Sequence, residues 1–68
     1  MRVIIRASND DIFSNLLKKI KGSGLEIYKE NKKWNFIVAK VPKVQTNVLF
    51  EILEIGGTIE RDIKNDLD

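Results

Sequence analysis

Cysteine and histidine are both missing from this sequence. Without cysteine there is no disulfide framework and no thiolate ligand for a metal. Without histidine there is no Ser-His or Cys-His pair to activate a nucleophile, and no imidazole ligand. These absences predict a chain that is not an enzyme, with no catalytic residue, no metal and no cofactor. Long apolar runs are missing too: no stretch approaches the roughly 18 residues that span a bilayer. The opening Met1-Arg2-Val3-Ile4-Ile5-Arg6 is too short for the apolar stretch of a signal peptide. The segment is therefore expected to be cytoplasmic, or part of a longer secreted precursor whose targeting signal lies elsewhere. An excess of one charge is also missing. Twelve Lys and Arg face ten Asp and Glu, a net +2 that does not by itself predict nucleic-acid binding.

What is present is a short, folded chain. Its 68 residues are 43% apolar, enough for one small domain. A domain of this size buries only about 60% of its unfolded surface, so its own core is marginal.

The elements follow from the patterning. Arg2 to Ala7 is short and β-branched, and reads as a strand. Ser8-Asn9-Asp10-Asp11 is a helix start, with an oxygen-bearing cap and carboxylates where the helix dipole favours them. Asp10 and Asp11 are read as dipole partners rather than an acid–base pair. Ile12, Phe13, Leu16, Leu17 and Ile20 repeat at helical spacing. Lys18, Lys19 and Lys21 fall in the last turn, and Gly22 and Gly24 end it. Leu25 to Glu30 alternates as a second strand, Asn31-Lys32 is a tight turn, and Lys33 to Val41 is a third strand. Pro42 leads into a second helical stripe of Val44, Val48, Leu49, Ile52, Leu53 and Ile55. Gly56-Gly57 closes it, and Thr58 to Ile63 is the last strand.

The order βαββαβ predicts an α+β fold of ferredoxin-like type: a four-stranded antiparallel sheet with two helices on one face. Residues 1–63 form this single domain and 64–68 a C-terminal tail. Period-two alternation turns Val3, Ile5, Leu25, Ile27, Ile59 and Ile63 towards the helices. The uncovered face then carries Arg2, Ile4, Arg6, Glu26, Tyr28, Glu30, Thr58, Glu60 and Asp62. With Ile37, Ala39 and Val41 inward, it gains Trp34, Phe36, Val38 and Lys40; the opposite register would bury Trp34 and Phe36 instead. In the first register, Ile4, Tyr28, Trp34, Phe36 and Val38 make an apolar patch within a charged rim, the mark of a contact surface.

Several strings resemble the propeptide domain of subtilisin-like serine proteases, a family that includes stand-alone inhibitors. Arg2-Val3-Ile4-Ile5-Arg6 resembles its first strand, without the aromatic often found there. Gly24-Leu25-Glu26-Ile27-Tyr28 resembles the start of its second strand, and Phe36-Ile37-Val38-Ala39-Lys40-Val41-Pro42 its third. Ile59-Glu60-Arg61-Asp62 fits its apolar-Glu-x-Asp signature. Gly56-Gly57 stands where the family often has Pro-x-Val. The resemblance implies an inhibitor and intramolecular chaperone that acts on such a protease in cis or in trans. Its open sheet face would dock on two protease helices, with Glu60 and Asp62 capping their N-termini. The tail Ile63, Lys64, Asn65, Asp66, Leu67 and Asp68 would lie in the cleft like a substrate, Asp68 just before the scissile bond.

Two other readings share this topology. An RNA-recognition module would stack bases on the same face, and Lys33-Trp34-Asn35-Phe36-Ile37-Val38 is similar to the basic-aromatic string of its third strand. Ile4, where an aromatic is expected, and the rim of Glu26, Glu30, Glu60 and Asp62 argue against nucleic acid. A small regulatory domain would form a homodimer through its sheet face or edge and bind a ligand between protomers.

Overall fold

In the computed structural model, which describes residues 1–65, the strands are β1 (Arg2–Arg6), β2 (Glu26–Asn31), β3 (Phe36–Lys40) and β4 (Thr58–Arg61). The helices are α1 (Asp10–Gly22) and α2 (Asn47–Ile55), with 3-10 turns at Lys43–Gln45 and Ile63–Asn65. The sheet order is β2-β3-β1-β4, every neighbour antiparallel, which is the ferredoxin-like arrangement. No helix among the described residues is long and apolar enough to cross a membrane.

Local chemistry sets the helix ends. Extended Asn9 caps α1, its Oδ1 accepting from the Ile12 N–H at 2.8 Å. Asp10 and Asp11 lie in the first turn and Lys19 and Lys21 in the last, each sign matched to the dipole. At the far end the Ser23 hydroxyl donates to the Lys19 carbonyl, and Gly24 at φ 73° turns the chain into β2. The second helix begins later than its apolar spacing suggests. Pro42 is extended, and the Gln45 side chain donates to the Ser23 carbonyl across the α1–β2 loop. Lys43–Gln45 is drawn into a separate 3-10 turn, so Val44 leaves the expected stripe and stands exposed.

The core lies between sheet and helices. Val3 and Ile5 of β1, with Ile37 and Ala39 of β3 and Val41 beyond it, meet Phe13, Leu16 and Ile20 of α1 and Val48 and Ile52 of α2. The β3 register is therefore the one with Ile37, Ala39 and Val41 inward. Leu16, Ile20, Ile37 and Ile52 are fully buried, each contributing about 1.5–3 kcal/mol. Gly57 is where the helices come down on β4. A Cβ there would meet the Ile52 and Leu16 side chains at 2.9–3.0 Å. Gly56 adopts φ 113° to end α2. This close approach accounts for glycines at the position where a Pro-x-Val loop was the comparison.

Three further expectations change. The hairpin is not a two-residue turn: Lys32–Asn35 form it, with Asn35 left-handed at φ 52°. The last strand ends at Arg61 rather than Ile63. The Asp62 N–H takes the Arg2 carbonyl at 2.8 Å, the end of β1's pairing, and the chain then turns. Ile63, expected in the core, is 75% exposed. Finally, β2 carries a bulge between Ile27 and Lys29. Ile27 opposes Ala39 and Lys29 opposes Val38, leaving Tyr28 as the extra residue.

Candidate functional site

The bulge decides which side chains reach the uncovered face. Beyond it the alternation of β2 inverts, so Lys29 and Asn31 join Tyr28 and Glu26 there. Glu30, expected on the rim, turns to the helix side. Its carboxylate lies 3.6 Å from Lys21 Nζ on α1. The sequence holds one signal of this: unbroken alternation would turn Lys29 into the core after Leu25 and Ile27, where a charge is costly.

Three rungs cross the face. The first runs Glu26, Lys40, Arg2, with Asp62 beside Arg2. The second runs Lys29, Val38, Ile4, Glu60, and the third Asn31, Phe36, Arg6, Thr58. The apolar residues expected at the centre are there, but they are roofed. Val38 is only 8% exposed, and Ile4 and Phe36 are half-buried. Arg6 and Lys29 stand 6.0 and 5.7 Å from the Phe36 ring. The Arg2 guanidinium lies 4.1 Å from the Tyr28 ring centroid. The face is thus a cationic lattice laid on aromatic rings rather than an open apolar patch.

Trp34 is not part of the sheet. It sits in the hairpin turn, 68% exposed, its backbone N–H donating to Asn31 Oδ1 at 2.9 Å. Lys33 Nζ is 5.5 Å from its ring. Trp34 therefore projects at the end of the face next to Phe36, which follows it by two residues.

The two acidic residues of the last strand differ. Glu60 is exposed on the edge strand β4, with Arg6 Nη2 at 3.6 Å. Asp62, past the strand end, is largely buried at the corner with Arg2 Nε at 3.5 Å. Arg2 Nε is itself buried and has no hydrogen-bond partner, so this corner is held by charge and stacking. Tyr28 adds to the same corner. Its phenol pKa is raised above 10.0, first by desolvation, then by its hydrogen bond to Glu26 and that carboxylate's charge; Lys40 and Arg2 oppose the shift.

The expected cleft segment begins as a turn: Ile63–Asn65 are 3-10, not extended. Asp66, Leu67 and Asp68 lie outside the described residues. Elsewhere, a groove of about 320 Å³ is lined by Asp10, Phe13, Ser14, Leu17 and Lys32. Among the described residues no cluster of acidic side chains could hold a metal ion.

Comparisons with protein-family models, curated proteins and solved structures return no match.

Proposed function

We propose that the chain is a propeptide-type inhibitor and folding chaperone of a subtilisin-like serine protease. One observation carries this reading. An uncovered sheet face ends in an edge strand bearing exposed Glu60, directly before the chain leaves the sheet. A carboxylate in that position can accept the unpaired N–H groups at a helix N-terminus. The segment after it then has a short path into a cleft beside the docked face. Both acids lie beside an arginine, and Glu60 is the better capping group of the two because it is exposed while Asp62 is largely buried. Docking requires Ile63–Asn65 to open from a 3-10 turn into an extended strand. It also completes a domain whose own core is small, which is the physical basis of a chaperone role: the surface that stabilises the inhibitor is formed only by a native-like protease.

The test is a titration of the purified chain into a subtilisin-like protease during peptide hydrolysis. Inhibition at micromolar concentration or below supports the reading. Unchanged activity at that concentration sinks it.

A second reading has an observation of its own. The bulge brings Lys29 onto the face and removes Glu30, leaving Arg2, Arg6, Lys29 and Lys40 around Phe36 and Tyr28. Rings flanked by cations suit the bases and phosphates of single-stranded RNA. Binding that weakens steeply with salt supports this alternative; binding absent at low salt removes it.

A further inference from the structure

Among the described residues no strand pairs with the outer edge of β4, and the outer flank of α2 is exposed. Glu51 of α2 faces α1, its carboxylate 3.1 Å from Lys19 Nζ. At about 100° per residue, Leu49 and Leu53 lie on the opposite side of the helix, with Phe50 next to them. α2 packs on β4 as well as on α1, and β4 is an edge of the sheet, so the side turned from α1 lies towards that edge. Leu53 is 52% exposed and Phe50 69% exposed.

The edge below this flank has a defined set of free backbone groups. The Asp62 N–H bonds the Arg2 carbonyl, so Asp62, Glu60 and Thr58 are the residues that bond β1. Ile59, between them, turns its N–H and C=O outward.

We infer that the chain forms a symmetric dimer through β4, paired antiparallel to β4 of a second copy with the two-fold axis at Ile59. Charge selects this register. Centred on Glu60, the pairing would set two carboxylates directly opposite one another. Centred on Ile59, it sets Ile59 against Ile59 on the helix side. Thr58 then faces the Glu60 carboxylate of the other copy on the open side, where its hydroxyl can donate. Arg61 falls opposite the other copy's Gly57, beside the negative end of that copy's α2. The same axis brings the two α2 flanks together, Leu53 and Phe50 of each covering those of the other. The dimer shares Glu60 with the protease reading but leaves the rest of the open face uncovered, and self-association and self-linking are read with no protease present.

The test joins mass measurement with cross-linking. Sedimentation equilibrium over a concentration series is expected to show a species of twice the 7.8 kDa chain mass, with a dissociation constant in the micromolar range. Leu53→Glu, on an exposed position, is expected to weaken it at least about tenfold with unchanged circular dichroism. The chain has no cysteine, so introduced thiols report the register cleanly. Opposed residues of a bonded antiparallel pair have Cα atoms about 5.5 Å apart, within disulfide range. Glu60→Cys is expected to stay unlinked under mild oxidation, while Ile59→Cys links to itself. A monomer at millimolar concentration, a dimer unaffected by Leu53→Glu, or linking through Glu60→Cys in preference to Ile59→Cys overturns the inference.

Discussion

The two faces of the sheet come from the same strands and are stabilised in different ways. On the helix side, Val3, Ile5, Ile37 and Ala39 are almost wholly buried against Leu16, Ile20 and Ile52. On the other side, β1 and β3 present Arg2, Ile4, Arg6, Phe36, Val38 and Lys40, and ion pairs and ring contacts surround a single buried residue, Val38. The first face is bound by area removed from water, which is insensitive to salt and intolerant of volume change. The second is bound by charge close to solvent, where each contact contributes about 1 kcal/mol or less. A face built this way can exchange its internal partners for external ones at small cost. That difference is what makes the uncovered side a candidate for recognition.

Mutations on the two faces should differ in cost. The largest effect is expected inside: Leu16→Ala should lose about 2–5 kcal/mol, comparable to the whole stability of so small a domain. Denaturant melts check it. Gly57→Ala should cost about 1–3 kcal/mol by the same assay, because the added methyl would meet Leu16 and Ile52 at 3.0 Å and 2.9 Å. Across the sheet, Arg2→Gln should cost only about 1 kcal/mol, the sum of a partly exposed ion pair and a ring contact. Raised salt should shrink that difference and leave the Leu16→Ala effect intact. An Arg2→Gln loss as large as that of Leu16→Ala would erase the distinction between the faces.

The smallest effect is a titration. Tyr28 is held in its neutral form, so its folded pKa lies above 10.0. The stabilisation associated with the neutral phenol is present below the unfolded value and is lost as pH rises through the folded one. Ultraviolet absorbance should give a midpoint above that of the unfolded chain, and Glu26→Gln should lower it. A midpoint equal to the unfolded one would remove Tyr28 from the corner network.

Most of the fold was legible because alternation and helical spacing report burial directly. Val3, Ile5, Phe13, Leu16, Ile20 and Ile52 all lie where their periodicity places them. The misread positions share a physical cause: contacts distant in sequence. Glu30 left the face through a bulge set by pairing with β3. Val44 left its helix because Gln45 reaches Ser23. Ile63 left the sheet because β1's pairing ends at Arg2. For the open face, Ile4, Phe36, Val38, Arg2 and Arg6 were foreseen, but Lys29 and the contacts of these cations with the Tyr28 and Phe36 rings were not. A side chain's neighbours across three strands are invisible in a linear pattern.

The proposed inhibitor role requires this face, with Glu60 at its edge, to meet a protease. The most direct measurement is backbone chemical-shift mapping of the chain against a subtilisin-like protease whose catalytic serine is replaced by alanine. Perturbations are expected at Arg2, Ile4, Phe36 and Glu60 and through Ile63–Asn65, with α1 and α2 unaffected, and the whole pattern is expected to be lost in Glu60→Lys. Perturbations on the helices with the open face silent, or none at saturating protease, would contradict it.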